Sequence, residues 1–474
     1  MLYILAALPL LALAFSSCEE KLPQSVDSPD VAQLLALRIV NAGPNGNQVV
    51  EGVVDENTKR ISFPRLDPAT DLSKLRFEAE VSSGASLEKN EYSIEIPEGG
   101  DRQTVIVKVV NNKHFREYFA VVRLLVPVYG ADFENAVIHD LTAATLKNTH
   151  PDYKGFGGLL TRGAGYDGKE ILIVSRGPEK PHLLHVSDVV KGEVKPVPVN
   201  MEGVALGTFA YNLGEVVNGH VYIMNLCGIY NGKLYHWKAD AVDQPAENIL
   251  LFNAASIPGA GKRYGDNFSI TLDAHGDGYV FLSDNAATNY LRFTVKGYTQ
   301  IDPASAVVIP CTLQGSYGTC FAASDKMEEF LFDGLYMPLK VGDKNGNFAY
   351  TMKSGSIPLN FQSARVVNFN GERFLIGVTC ARNAAANQTP VLYVYDITKG
   401  ATLIEALQLF EEGERKALLE VGLQAVANIA PSTNSGYYVE KDAEGKDSVL
   451  HLFGFMTDAG CVVVDIPAKK LEED

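Results

Sequence analysis

Residues 34–126 alternate between apolar and polar side chains in short stretches. That alternation has the period of a β-strand with one buried face. Turn sequences such as Gly43-Pro44-Asn45-Gly46 and Glu98-Gly99-Gly100-Asp101 separate the stretches. The pattern predicts six strands, over residues 35–40, 60–63, 75–81, 92–96, 104–110 and 118–125. We therefore expect an antiparallel β-sandwich over residues 34–126.

The remainder of the chain repeats one unit, an apolar strand, a polar turn and a second apolar strand. Six copies begin at Ile171, Val221, Tyr279, Phe330, Phe374 and Leu450. In the fourth copy, the two strands are predicted over residues 330–332 and 348–350. The first five recur at roughly 45 to 58 residues, the spacing of four-stranded propeller blades. The pattern predicts an all-β protein with a six-bladed β-propeller over residues 127–467. Seven blades remain open, because the last interval is too long and contains a Leu-, Ala- and Glu-rich stretch, 403–424, that is either a short helix or an insertion.

The last copy ends near Pro467, with only a charged tail, residues 468–474, beyond it. Its fourth strand is therefore missing at this end of the chain. Residues 136–141, which precede the first copy, are an apolar segment that could supply this strand. Closing the ring in this way would remove an exposed sheet edge.

The first 18 residues predict a secretory signal of the lipoprotein type. An apolar run from Leu2 to Phe15 ends in Ser16-Ser17-Cys18 and is followed by Glu19-Glu20. A run of about 14 residues is too short to span a bilayer, which needs roughly 20. We expect Cys18 to carry the lipid and residues 19–33 to form a tether. An ordinary signal peptide stays open, since no Lys or Arg precedes the run and Phe15 replaces the common Leu.

The formal charge is −16, without a basic cluster, which argues against nucleic-acid binding and favours a neutral ligand over an anionic one. The six cysteines include Cys311 and Cys320, which could form a disulfide. They show no zinc-site spacing, so we predict no metal and no cofactor.

Three motifs have simpler interpretations. Gly163-Ala164-Gly165-Tyr166-Asp167-Gly168 matches GxGxxG, but a strand follows it instead of a helix, so we predict a tight turn. The segments 273–278 and 343–347 resemble calcium loops without the closing Glu, and are predicted to be hairpin turns.

In a propeller, the turns between second and third strands and the loops between blades open on one face. Several of these loops place an aromatic ring beside amides, hydroxyls or a guanidinium, a combination suited to stacking on and hydrogen-bonding a sugar. The alternative is that the rings only pack loops together. The predicted ligand-binding residues are Arg176, Tyr230, Asn231, Arg263, Tyr264, Asp266, Asn267, Asn285, Tyr317 and Arg382.

Four carboxylates lie in loops where acids from different blades could meet, namely Asp266, Asp284, Glu202 and Asp458. No local catalytic motif accompanies them. They keep a glycoside hydrolase or polysaccharide lyase open as an alternative, although a non-enzymatic protein is the favoured interpretation.

The stretch from Ile61-Ser62-Phe63-Pro64 to Ser82-Ser83-Gly84, with Glu117-Tyr118-Phe119-Ala120-Val121, is similar to the immunoglobulin-like modules of Bacteroidota surface lipoproteins. Together with the signal and the propeller, the chain resembles a family of such outer-surface lipoproteins of unknown function. The resemblance implies an immunoglobulin-like spacer, an outer-membrane lipid anchor and a glycan or glycoconjugate as ligand. A scaffold that docks an outer-membrane transporter or a host protein is the third alternative. The family has no established catalytic residues to transfer.

Overall fold

The computed structural model describes residues 30–96, 102–125, 128–207, 209–228, 231–285, 289–311, 317–382, 388–427 and 429–470. The predicted signal segment and Cys18 lie outside these ranges. The chain divides into two compact units, with the boundary between residues 127 and 128. Among the described residues, no helix is long and apolar enough to cross a bilayer.

The N-terminal unit is a single curled sheet. Its strands within the described residues are β1 (Leu34–Ala42), β2 (Gln48–Asp55), β3 (Arg60–Ser62), β4 (Leu75–Val81), β5 (Ser86–Leu87), β6 (Glu91–Tyr92), β7 (Arg102–Asn111) and β8 (His114–Arg123). They follow the order β5-β7-β8-β3-β2-β1-β4-β6, with β3 and β8 parallel. The sheet curls into a half-barrel, so an immunoglobulin-like sandwich is not confirmed.

Alternating burial explains why this sheet forms. Leu75 and Phe77 of β4 are buried, whereas Arg76 and Glu78 between and beyond them are exposed. The same period of two places Tyr118 of β8 in the core, where its hydroxyl donates to Glu56 Oε2 at 3.0 Å. The sequence pattern missed β2, whose side chains are intermediate or exposed throughout.

The C-terminal unit is a six-bladed propeller of antiparallel sheets, five of four strands and one of five over the described part of the chain. It begins with strand β9 (Val137–Thr142) and helix α1 (Ala143–Thr149). Blade one contains β10 (Thr161–Tyr166), β11 (Glu170–Ser175), β12 (His182–His185), helix α2 (Val186–Val189) and β13 (Val197–Pro198). Blade two contains β14 (Leu213–Val217), β15 (His220–Met224), β16 (Asn231–Lys238) and β17 (Glu247–Asn253). Blade three contains β18 (Phe268–Leu272), β19 (Gly278–Ser283), β20 (Asn289–Lys296), β21 (Gln300–Ile301) and β22 (Val307–Pro310), and β21 and β22 both pair with β20.

The other three blades differ in strand length, which is short in the fourth blade and long in the sixth. Blade four contains β23 (Cys320–Ala322), β24 (Phe330–Phe332), β25 (Lys340–Gly342) and β26 (Phe348–Thr351). Blade five contains β27 (Phe361–Phe369), β28 (Glu372–Thr379), β29 (Val391–Asp396), helix α3 (Leu403–Glu412) and β30 (Ala417–Gly422). Blade six contains β31 (Thr433–Lys441), β32 (Asp447–Met456) and β33 (Gly460–Pro467). Strand β9 completes the sixth blade.

The ring closes with a strand from the other end of the propeller, as the sequence predicted. Strand β9 pairs antiparallel with β33, from Thr142 opposite Gly460 to Val137 opposite Asp465. Leu141 of β9 is 3% exposed and packs in one cluster with Cys461 of β33. The closing strand is thus held by apolar packing as well as by its backbone hydrogen bonds.

Within the described residues, the long interval before the last copy forms no seventh blade. Its Leu-rich stretch forms α3, whose Leu403, Ala406 and Leu407 pack against the fifth blade, and then β30, the fourth strand of that blade. Residues 348–350, predicted as the partner of 330–332, are instead the fourth strand of blade four. Strand β25 intervenes between the two.

The prediction of a tight turn at the GxGxxG segment is wrong, because most of the segment belongs to strand β10. A Cβ atom on Gly165 would lie 2.5 Å from the backbone nitrogen of Val216, in the inner strand of the next blade. Two inner strands approach so closely here that only glycine fits. The segments 273–278 and 343–347 are turns as predicted, with Asp273 and Asp343 accepting backbone N–H groups.

Candidate functional site

The first strand of each blade lines the centre of the ring, and we call the end at which these inner strands begin the top face. The loops before the inner strands and the turns between second and third strands meet there. The structure places Arg176, Arg263, Asp266, Asn267, Asn285, Tyr317 and Arg382 on this face. Asn231 is exposed at the start of β16, and Tyr230 lies outside the described residues.

Asp266 is held at the mouth of the central channel by the guanidinium of Arg263 and the amide of Asn285. Its Oδ2 lies 2.9 Å from Arg263 Nε and its Oδ1 lies 2.9 Å from Arg263 Nη2. Asn285 Nδ2 also donates to Oδ2, at 3.0 Å. The Asp266 side chain is 2% exposed. Both oxygens are therefore engaged, which disfavours a role in proton transfer.

Gly265 sets the path of the loop that carries Arg263 and Asp266. Its φ is +92°, and a Cβ atom there would lie 2.2 Å from the carbonyl oxygen of Asn225. Its own carbonyl accepts Asn212 Nδ2 at 2.5 Å. Backbone conformation and close approach both require glycine at this position.

Two of the predicted ligand-binding residues are structural in this fold. Tyr264 is fully buried, and its hydroxyl donates to Asn289 Oδ1 at 2.6 Å and accepts Gly261 N at 2.7 Å. Asn267 is 1% exposed, donates to the carbonyl of Tyr317 and accepts Ser432 Oγ at 2.7 Å. Neither side chain presents a free face or a free hydrogen-bonding group to a ligand.

Tyr317 lies at the mouth but is covered. Its φ is +64°, and the guanidinium of Arg382 lies 4.7 Å from the centre of its ring. Burial raises the pKa of the Tyr317 hydroxyl, as does Asp266, and Arg382, Arg263 and Arg162 oppose that rise. The tyrosine thus stands within the field of three arginines, but its ring is not open for stacking.

Sequence reasoning missed an arginine of an inner strand at the mouth of the channel. Arg162, at the second position of β10, is 7% exposed, and its Nε donates to Asn212 Oδ1 at 3.3 Å. Its Nη2 donates to the carbonyl of Ala430 at 2.6 Å. The position of Arg162 in the sequence could have indicated this, because the first residues of an inner strand lie at the channel mouth.

Arg176 shares the acceptor of Arg162. Its Nη2 also donates to Asn212 Oδ1, and its Nε donates to the carbonyl of Tyr211 at 3.1 Å. Burial, and then the positive charge of Arg162, lower the pKa of Arg176 to about 10. Burial also lowers the pKa of Arg162, and Asp458 and Asp266 offset part of that shift. Both guanidinium groups remain charged at neutral pH.

The other three candidate carboxylates have different positions. Asp458 is 5% exposed at the mouth, and its Oδ1 accepts the backbone nitrogen of Thr161 at 3.3 Å. Asp284 is buried under the loop that holds Arg263. Glu202 is exposed, and its carbonyl accepts the backbone nitrogen of Ala246, in the connection between the third and fourth strands of blade two and hence away from the mouth. The structure does not bring these four carboxylates together.

Apolar side chains surround the charged mouth. Phe209 is 52% exposed, with the guanidinium of Arg176 5.0 Å from its ring centre, and Tyr336 is 56% exposed in the turn after β24. Other exposed apolar residues in the top loops are Leu159, Leu160, Leu206, Leu359 and Ile429. The top face therefore has open aromatic rings at Phe209 and Tyr336, which the sequence analysis did not select.

The opposite end of the channel has its own polar pair. Arg365 Nη2 lies 3.5 Å from Glu215 Oε1, and both line a cavity of about 210 Å³ with Tyr166 and Tyr437. Burial raises the pKa of Glu215 to about 7, and Arg365 and Asn434 act in the opposite direction. Arg365 also lies 3.5 Å from the ring centre of Phe321. The guanidinium thus bridges inner strands across the ring.

Within the described ranges, no three His, Cys, Asp or Glu side chains group as a metal site. Cys311 and Cys320 lie in one buried cluster with no disulfide between them.

Comparisons with known proteins identify relatives over nearly the whole chain. Residues 20–469 match the model of the Domain of unknown function (DUF4623). The crystal structure of a DUF4623 family protein from Bacteroides eggerthii is 36% identical, with a TM-score of 0.72, over 93% of this chain and 100% of that chain.

Other similar structures are distant. The WD40 β-propeller domain of Doa1 is 10% identical, with a TM-score of 0.36, over 71% of this chain and 98% of that one. A quinonprotein alcohol dehydrogenase-like protein from Bacteroides thetaiotaomicron is 12% identical, with a TM-score of 0.32, over 79% of this chain and 97% of that one. Among curated proteins there is no significant match. The family match over residues 20–469 and the 36% identity to the Bacteroides eggerthii protein establish that this chain belongs to the DUF4623 family.

Proposed function

We propose that this protein is a non-enzymatic surface lipoprotein that binds a glycan or glycoconjugate on the top face of its propeller. The observation that carries the proposal is the composition of that face. The guanidinium of Arg176 lies beside the open ring of Phe209, and the same face also carries the partly exposed Arg263 and the open ring of Tyr336. Rings that stack on the C–H face of a sugar and planar donors that bind its hydroxyls are the usual parts of a glycan site.

A binding role fits the mouth better than catalysis. General acid–base chemistry on a sugar needs a pair of carboxyl groups free to exchange protons. Of the four candidate carboxylates, Asp284 and Glu202 lie outside the mouth, Asp266 is engaged by Arg263, and Asp458 accepts a backbone N–H group. The hydrolase or lyase alternative therefore has no assembled acid pair among the described residues of this face.

Affinity electrophoresis of the full chain in mild detergent, against a panel of neutral and acidic polysaccharides, tests the proposal. We expect retardation by at least one polymer without release of reducing sugar or unsaturated product. Phe209→Ala and Tyr336→Ala should weaken the retardation, whereas Tyr129→Ala, an exposed tyrosine outside the top face, should not. Retardation by none of the polymers would refute glycan binding, and product release would favour the enzymatic alternative.

Membrane attachment is a separate part of the proposal. It rests on the apolar run and Cys18 of the sequence, and on Glu19-Glu20 for display on the outer face of the outer membrane. Labelling with radioactive palmitate should mark the wild type and not the Cys18→Ser variant. Equal labelling of both proteins would exclude lipidation at this cysteine.

A docking role is the second candidate, because the top face exposes Leu159, Leu206 and Ile429 in addition to its aromatic rings. Apolar patches rimmed by polar groups are common at protein interfaces. A transporter or host protein recovered with the full chain from detergent-solubilised membranes, lost with Leu206→Asp and Ile429→Asp, would support this role over glycan binding.

A further inference from the structure

The charges at the mouth of the channel are unbalanced. Four guanidinium groups, those of Arg162, Arg176, Arg263 and Arg382, face the carboxylates of Asp266 and Asp458. The whole chain carries a formal charge of −16. A local excess of positive charge on an acidic protein forms a patch of opposite potential, which attracts anions.

The excess positive charge lies on Arg162 and Arg176. Arg263 has Asp266 as a two-point partner. Within the part of the chain that the structure describes, Arg162 and Arg176 donate only to neutral oxygens, and both use Asn212 Oδ1. Two cations on one amide oxygen repel each other, and the carboxylates of Asp266 and Asp458, which are not hydrogen-bonded to either guanidinium, offset that repulsion only in part.

Burial makes the arrangement costly for the unliganded fold. Arg162 is 7% exposed, and a buried charge is normally paired with an opposite charge. Hydrogen bonds to a side-chain amide and to carbonyls keep the guanidinium groups in place without neutralising them. A bound anion would supply the missing charge and accept the remaining N–H groups.

We propose that the mouth binds the carboxylate or sulfate group of an acidic glycan between Arg162 and Arg176. This inference rests on the proposed glycan-binding function and names the chemistry of its ligand. A guanidinium donates two parallel hydrogen bonds to a carboxylate or a sulfate, which a neutral sugar hydroxyl does not accept as well. Phe209, beneath Arg176, lies where the ring of the same sugar would stack. The acidic net charge had favoured a neutral ligand, and the local charge of the mouth reverses that expectation.

Matched pairs of polymers test the charge of the ligand directly. The full chain is titrated with polygalacturonate and its carboxyl-reduced form, with dextran sulfate and dextran, and with poly-L-glutamate. We expect binding to at least one acidic polysaccharide, at least tenfold tighter than to its neutral counterpart and weakened by salt. The two pairs distinguish a carboxylate from a sulfate.

Each other outcome has a distinct meaning. Equal binding of the charged and neutral forms would overturn the inference and leave glycan binding intact. Binding of none of the polysaccharides would refute the proposed function itself. Binding of poly-L-glutamate as tight as that of the acidic polysaccharide would overturn the assignment to a sugar.

Arginine variants locate the anion. Arg176→Gln should weaken binding of the acidic polymer about tenfold or more and reduce its salt dependence, because a charge-assisted hydrogen bond is lost. Arg415→Gln, an exposed arginine next to α3, is the matched control and should bind as the wild type does. Since Arg162→Gln affects a buried side chain, its folding is checked first by circular dichroism. Unchanged binding by folded Arg176→Gln would exclude this site.

Discussion

Arg263 and Asp266, three residues apart in the loop that enters the third blade, form an ion pair with a hydrogen bond of 2.9 Å from Nη2 to Oδ1 and a second contact of 2.9 Å between Nε and Oδ2. The aspartate is almost fully buried and the arginine is partly exposed, with 44% of its side chain accessible. The pair therefore fixes the loop from below while leaving one edge of the guanidinium at the surface. This contact decides that Asp266 supports the mouth and does not act as a free acid.

Replacing Asp266 by Asn should lower the free energy of unfolding by about 1–3 kcal/mol. The variant loses the charge that Arg263 needs and one acceptor, since an amide offers a single oxygen. The midpoint of urea denaturation measures the change. Asp240→Asn, at an exposed position, is the control and should leave the midpoint unchanged. An unchanged midpoint for Asp266→Asn would contradict a structural role for the ion pair.

Gly265→Ala should be destabilising by about 1–3 kcal/mol. The backbone has a φ of +92°, and the new Cβ would overlap the carbonyl of Asn225, so the loop must move. Gly228→Ala is a matched control in the same blade-two region, because a Cβ there meets nothing within 4 Å and its φ is not in the left-handed range. Thermal denaturation of the two variants should separate them clearly. Equal stability would show that the loop is not constrained at Gly265.

Leu141→Ala should weaken closure of the ring. Leu141 is 3% exposed between blades six and one, and removing a buried leucine side chain costs about 2–5 kcal/mol. Val137→Ala in the same strand removes a side chain that is 54% exposed, and should change stability by no more than about 0.5 kcal/mol. Hydrogen exchange should show earlier opening of β9 and β33 in Leu141→Ala. The absence of this difference would mean that closure does not depend on the packing of β9.

Asp333 should produce a specific pH dependence of stability. Burial raises the pKa of its carboxyl from the ordinary 3.8 to about 6, although hydrogen bonds from Ala364 and Thr319 oppose the rise. The folded state therefore holds the proton more tightly than the unfolded chain. Stabilisation by this group is fully present below about pH 4 and is lost as the pH rises through about 6.

The Asp333→Asn variant isolates this effect from other titrating groups. The variant should be less stable at low pH, because its amide cannot accept all the donors that Asp333 accepts. Its deficit should shrink as the pH rises from about 4 to about 6, by at most about 1.4 kcal/mol per pH unit. Urea denaturation of both proteins at a series of pH values measures the deficit. A deficit that is constant or grows over this range would refute the raised pKa.

Local patterns predicted most of the fold. Alternation and repeat spacing located the second and third strands of five blades, and the missing last strand indicated that β9 closes the ring. Errors arose where local signals are weak. Strand β25 is three residues long, and Gly163 and Gly165 belong to a strand because a neighbouring blade, not a turn, demands glycine.

The candidate site was only partly predictable. Topology sufficed to place Arg176, Arg263, Asp266, Tyr317 and Arg382 on one face. It did not reveal that Tyr264 and Asn267 are buried and hydrogen-bonded to neighbouring loops. Nor did it reveal that Phe209 and Tyr336 are the aromatic rings exposed on this face. Burial of a loop residue depends on partners from other blades, which are far away in sequence.

The sequence by itself determined the all-β class, the spacing of the repeats and the face on which the loops gather, because strand period and repeat length are local properties. It left six or seven blades open, and the sheet topology decided on six. Its lipoprotein signal remains a prediction from Cys18. Only the tertiary structure decided the charge of the site. Arg162 and Arg176 come from different strand ends of one blade and share an acceptor from the next, so their repulsion exists only once the first two blades have formed and packed together. Net charge averages over the whole surface, whereas a ligand meets the field of the few groups that folding brings together.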